Sequence, residues 1–190
     1  MTAAALAARG WRRLLACRRG SIPVEMALVT PVLLTMLLGV VDVGWYLVMQ
    51  HKMARVAATV ADLTSRGETI NEAQIRDIFA AARTVAEPFD LDLEGRAIVS
   101  SITNPGGAGA RIAWQRLSPD GLDIDSRIGS AGETPDLPAG FAVAADENIV
   151  AAEAFLAFQP VVGLILRGQQ DIYVRAVQRP RLGTLDQVNP

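Results

Sequence analysis

The chain reads as an α+β fold in which a long amino-terminal membrane helix continues into a small domain with a second helix and an antiparallel sheet of about four strands. Three observations predict it. Residues Met26 to Val41 are sixteen in a row without a charge. Beyond them, Met49, Met53, Val56, Val60 and Leu63 recur at a 4-3-4-3 spacing that keeps one stripe on a single helical face. The second half alternates short β-rich runs with breaks rich in glycine and proline. At 190 residues there is room for one compact domain of about 120 residues beside a membrane helix, not for two full domains.

Five arginines, at positions 9, 12, 13, 18 and 19, precede the apolar run with no acid among them. By the positive-inside rule that end stays in the cytoplasm, and everything after about residue 50 lies outside. Sixteen residues at about 1.5 Å each fall short of a roughly 30 Å hydrocarbon core, so the span continues past Asp42. Trp45 and Tyr46, whose rings favour the headgroup level, mark its exit. Asp42 then stands near the outer boundary, either solvated or paired with a neighbour. Pro31 removes one backbone hydrogen bond and is expected to bend the helix. Gly39 and Gly44 open flat patches where another helix can approach, although glycine is in any case common in membrane helices.

Glu25 is the informative residue of this region. A carboxylate at the mouth of a membrane helix costs roughly 2.5–3.5 kcal/mol on insertion scales. A cut after Gly20 would free an α-amine on Ser21 four residues before Glu25, about one helical turn, and so supply a cation within reach of the acid. An ordinary secretory signal fits less well, because bulky residues follow Val41 where a small-residue cleavage site would stand. Leu14-Leu15-Ala16-Cys17 lacks the apolar region that a lipoprotein box needs, and a second arginine pair interrupts the twin-arginine pattern at Arg12-Arg13. Cys17 is expected to leave with the leader, so the mature chain needs no disulfide framework.

The whole chain carries 18 Lys+Arg against 20 Asp+Glu; without the five leader arginines the balance is 13 to 20, a net charge near −7. No basic face survives to release counterions from phosphates, which argues against a nucleic-acid partner.

The first helix is expected to run unbroken from about residue 22 to 65 and to stop at Gly67. Its outer stripe is read as packing against the chain's own domain in preference to a partner-binding seam. Asn71 is a candidate N-cap for a second helix with Ile75, Ile78, Phe79, Ala82 and Val85 on one face, ended by Pro88. Strands are expected at Ala97–Ile102 and Arg111–Leu117, forming a hairpin, and at Asn148–Phe158 and Ile172–Arg179, with Ser118 to Gly140 as an irregular connection. Ala154–Leu166 is apolar, but thirteen residues interrupted by Pro160 are too few for a second span. The expected organisation is a basic leader over 1–20, a membrane helix with its extension over 21–66, and an α+β domain over 67–190.

Signals for catalysis, metal or a cofactor are scarce. His51 is the only histidine, and neither a phosphate-cradling loop nor a metal-spaced His/Cys cluster occurs. Asp120, Asp123 and Asp125 lack the closing glutamate of a calcium loop and read as a solvated acidic turn. No catalytic residue, no cofactor and no small-molecule substrate is expected.

The run Gly20-Ser21-Ile22-Pro23-Val24-Glu25-Met26-Ala27-Leu28-Val29-Thr30-Pro31, followed by Leu37-Leu38-Gly39, Asp42, Gly44 and the pair Ala57-Ala58, resembles the opening of the TadE/TadG-like pseudopilins of tight-adherence (Flp-type) pilus systems. Phe155 to Pro160 and Ile172 to Arg181 are similar to that family's last two strands. The resemblance covers the two ends, about half the chain. It implies a non-enzymatic, single-pass inner-membrane component with a periplasmic domain, cut between Gly20 and Ser21 by a prepilin peptidase and joining other pseudopilins of the pilus assembly machinery. The alternative from the residues alone is an uncleaved, signal-anchored periplasmic binding or scaffold module.

Overall fold

The computed structural model describes residues 21–137, 141–163 and 165–189. The expected leader, with Gly20 and Cys17, lies outside the described residues. Helix α1 spans Ser21–Ser65, 45 residues without interruption, and continues through Pro31. Gly67 follows at the turn, where a Cβ would stand 2.7 Å from the Thr69 carbonyl oxygen, so a larger residue is excluded by contact. Helix α2, Glu72–Ala86, opens on a capping box. The Asn71 side chain accepts from the Gln74 N–H at 2.8 Å, and the Asn71 N–H donates to the Gln74 side chain at 3.0 Å. A single turn, α3 (Leu91–Glu94), is capped by Asp90 and was not anticipated from the sequence.

The main sheet contains β2 (Gly95–Thr103), β3 (Arg111–Leu117), β4 (Asn148–Phe158) and β5 (Gln170–Gln178), all antiparallel in the order β3-β2-β4-β5. The four expected strands are therefore present, two of them with the expected bounds. Two short strands, β1 (Ile70–Asn71) and β6 (Val188–Asn189), pair in parallel and tie the end of the chain to the α1–α2 turn. Leu185, buried in the core, accepts at its carbonyl from Trp114 Nε1 at 2.8 Å and Ser101 Oγ at 2.5 Å. These bonds fasten the final segment across the sheet.

The sheet is covered on both sides, which explains why β4 is buried along almost its whole length. On one side lie α1 and α2. The stripe Met49, Met53, Val56 and Val60 is buried with Phe79, Leu156 and Phe158, and Leu63 packs against it half-buried. The outer stripe of α1 is thus core. Ala57 and Ala61 meet a sheet face that includes Ala152, Ala154 and Ala176, and small side chains on both partners allow a close approach. On the other side, the irregular segment after β3 contributes Ile128 and Val143 to a second cluster with Ile102, Ile112 and Ile149.

That irregular segment is held by Glu153, a carboxylate only 1 % exposed in the middle of β4. It accepts from the Ser126 hydroxyl, from the Arg127 N–H at 3.0 Å and from the Tyr173 hydroxyl at 2.9 Å. The Arg127 guanidinium lies 4.5 Å from the Tyr173 ring centroid, so a cation also faces the cluster. Burial, with the Glu153 charge second, raises the Tyr173 phenol above its usual range. On the helix side, Arg116 of β3 hydrogen-bonds Glu72 at 2.5 Å and holds its carboxyl below the ordinary value.

Candidate functional site

The site is built on the first half of α1 and on what the domain brings to it. Helix α1 is long and apolar enough to cross a membrane, and only 6 % of its most apolar 18-residue stretch is buried. Large apolar side chains are exposed from Ile22 to Val48. In water such a surface would be strongly unfavourable, so it needs lipid or other apolar helices around it.

The sequence-selected residues on this helix separate into two groups. Glu25 and Pro31 are exposed on the part of α1 that lies before the domain begins. The Pro31 carbonyl accepts from Thr35 Oγ1 at 2.8 Å, so the turn above the proline carries an extra bond. Gly44 is also exposed, and a Cβ built there would meet nothing within 4 Å. Ser21 forms the first residue of the helix.

Gly39 and Asp42 face the domain instead. Sequence reasoning leaves Asp42 solvated or paired with a neighbour; the structure gives it a third place. It is 0 % exposed, and its two carboxylate oxygens accept from the backbone N–H groups of Val162 at 2.9 Å and Gly163 at 3.0 Å, both in the β4–β5 loop. Gly163 has φ +69°, a conformation that glycine adopts without strain, and its neighbouring N–H groups converge on the acid. Three residues earlier, Gly39 is filled from the same loop. A Cβ there would lie 1.9 Å from Ile165 Cδ1, so the flat patch is occupied by the chain itself.

The aromatic pair above Asp42 is likewise engaged. Trp45 packs edge-on against Phe89 with centroids 5.4 Å apart, and Tyr46 against Phe158 at 5.5 Å. Trp45 keeps 40 % of its surface exposed, so one ring serves both the junction and the outside. His51 is exposed, on the same outward side as Val48, Lys52 and Arg55.

Sequence reasoning missed the loop's part in this site. Its one signal in the sequence is the apolar run Ala154–Leu166, which is too short to span a membrane. Asp120, Asp123 and Asp125 are exposed, and among the described residues no group of three or more His, Cys, Asp or Glu side chains is placed to hold a metal.

Neither a curated protein nor a solved structure matches the chain. Residues 20–62 match the model of a family described as TadE-like protein, a match that begins at Gly20 and takes in Glu25, Pro31, Gly39, Asp42 and Gly44. The first helix of this chain is therefore a TadE-like segment, consistent with a TadE-like family member.

Proposed function

We propose that the chain is a minor pseudopilin-like component of a tight-adherence (Flp-type) pilus system, anchored in the inner membrane by α1 with its domain in the periplasm. A prepilin peptidase cuts between Gly20 and Ser21, and the matured subunit joins other pseudopilins in the assembly machinery. The observation that carries this reading is the coincidence at one point of the chain. The TadE-like segment starts at Gly20, the exposed acid Glu25 follows within two turns, and an exposed apolar helix face begins there. The five upstream arginines support a cytoplasmic amino terminus.

The deciding measurement is the amino-terminal mass of the membrane-extracted protein, made with and without the peptidase. The expected result is a chain starting at Ser21 only when the peptidase is present. A chain that starts at Met1 in both would remove the processing step and leave a signal-anchored scaffold. Gly20→Ala is expected to block the cut, whereas Glu25→Gln is expected to leave a folded protein that enters the assembly poorly.

A further inference from the structure

The β4–β5 connection carries no charge from Gln159 to Leu166; the first is Arg167. Its side chains are unusually apolar for a surface loop. Val161 is 68 % exposed, Val162 41 % and Ile165 53 %. The connections at the other end of the sheet carry polar residues by contrast, Asn104 after β2 and Asp146 and Glu147 before β4.

We propose that the β4–β5 loop is a second membrane contact. It enters the lipid leaflet on the domain side of the bilayer, beside α1, and Asp42 is the clamp that holds it there. This rests on α1 spanning the bilayer, and the experiment below separates the two.

The depth follows from the helix. If Met26 is the first residue past the charged end, a roughly 30 Å core at about 1.5 Å per residue takes up about 20 residues and ends near Trp45. Asp42 then sits about 5 Å, and Gly39 about 9 Å, below that boundary. Because Val162, Gly163 and Ile165 touch α1 at these two positions, the loop must lie at the same level. A depth of roughly 5–10 Å is the one at which apolar segments rest in a membrane without crossing it.

Chemistry agrees with that placement. An acid and two backbone N–H groups would each be unfavourable in hydrocarbon if left alone. Here they meet one another's hydrogen-bonding needs, so the loop and the helix are immersed together, with the charge of the acid kept at a shallow depth near the headgroups. Val161, Val162 and Ile165 are exposed where the loop meets α1 at Gly39 and Asp42, and Leu38 and Val41, next to those positions in the helix, are exposed too. Arg167 is exposed just beyond the loop, with a stem long enough to carry its charge back to the headgroups. The occupant of this patch is lipid.

The test uses the full chain with Cys17→Ser and one new cysteine, Val161→Cys, Leu33→Cys or Ala108→Cys, each labelled with an environment-sensitive fluorophore. The labelled proteins are reconstituted in vesicles of phosphatidylethanolamine and phosphatidylglycerol. Quenching is read from spin-labelled acyl chains and from aqueous iodide. The expected result is that the Val161 label, like that at Leu33, is quenched by acyl chains about threefold more than that at Ala108 and is shielded from iodide. A spin label near the headgroup should quench Val161 more than one near the chain end. Adding Asp42→Ala should shift the Val161 label towards iodide and leave Leu33 unchanged. The proposal is overturned if Val161 behaves as Ala108 does, or is shielded from both quenchers by protein, while Leu33 is in lipid. If Leu33 itself responds to iodide, the spanning helix falls, and the loop's immersion with it.

Discussion

Replacing Asp42 by alanine removes the one side chain that, among the described residues, joins α1 to the β4–β5 loop by hydrogen bonds, and the structure allows the loss to be sized. Two backbone N–H groups, at 2.9 and 3.0 Å from the carboxylate oxygens, lose their acceptor in a place from which solvent is excluded. A hydrogen bond to a charged group contributes about 1.5–3 kcal/mol, so the pair is worth about 3–6 kcal/mol if nothing moves. The loop can move, however. Swinging away from the helix returns its N–H groups to water or headgroups, so the variant registers the lower end, about 3 kcal/mol, as easier opening rather than as global unfolding. That corresponds to roughly a 100-fold larger opening constant.

Hydrogen exchange by mass spectrometry, on the protein in lipid nanodiscs, reads this directly. The peptide containing Val162 and Gly163 is expected to exchange roughly 100-fold faster in Asp42→Ala, while β2, buried in the middle of the sheet, keeps its protection. Asp42→Asn keeps the size and one good acceptor but turns an amide donor towards the other N–H. An intermediate acceleration, roughly tenfold, is expected. Unchanged exchange at the loop in Asp42→Ala would refute the reasoning, since the two bonds would then contribute nothing to holding it. Equal acceleration in β2 would refute it differently, by making Asp42 a determinant of the whole fold.

Four other substitutions test the domain core and the exposed face of α1. Glu153→Ala strands the Ser126 hydroxyl, the Arg127 N–H and the Tyr173 hydroxyl and is expected to lower stability by about 2–4 kcal/mol, read as the denaturant midpoint of the detergent-solubilised protein. An unchanged midpoint would mean that the irregular segment is held by its apolar contacts alone. Tyr173 holds its proton more tightly folded than unfolded, so its contribution is complete below its ordinary pKa of 10.0 and declines as pH rises above it. Tyr173→Phe should flatten the stability profile in that alkaline window, and identical profiles would count against the raised phenol. Met53→Ala, at a fully buried position, is expected to cost about 2–5 kcal/mol, whereas Leu33→Ala, on the exposed face of the same helix, should stay within about 0.5 kcal/mol; thermal melts of the two variants check the contrast.

How far the sequence reveals this molecule depends on whether a feature is local. Helix α1, the Asn71 cap and the four main strands each follow from periodicity, cap chemistry or turn residues within a short window, and all are present. The 4-3-4-3 stripe on α1 is equally legible as an apolar face, and its occupant proves to be the chain's own sheet. What periodicity cannot carry is pairing at a distance. Asp42 meets residues 120 positions away, Ser101 and Trp114 share the carbonyl of Leu185, and β1 finds β6 at the far end of the chain. Each of these contacts has a backbone group on at least one side, which every residue carries, so no pair of side-chain patterns announces them. The four-residue helix α3 is missed for another reason: one turn is too short to show a period.

These long-range contacts separate two acids that look alike in the sequence. Both Glu25 and Asp42 interrupt an apolar helix, and either could be assigned to a partner subunit. The chain itself supplies Asp42 with two N–H donors and closes it off from the surroundings. Glu25 is exposed, below the lowest point the domain reaches, and among the described residues it makes no ion pair. Gly39 and Gly44 divide in the same way, the first filled by Ile165 and the second open. One side of α1 is therefore committed to the domain near residues 39 and 42, while Gly44 and the stretch around Glu25 are open. An acid on such a surface needs a cation from elsewhere to be comfortable in an apolar assembly. In the pseudopilin reading, the freed amine of Ser21, on its own or a neighbouring chain, is that cation.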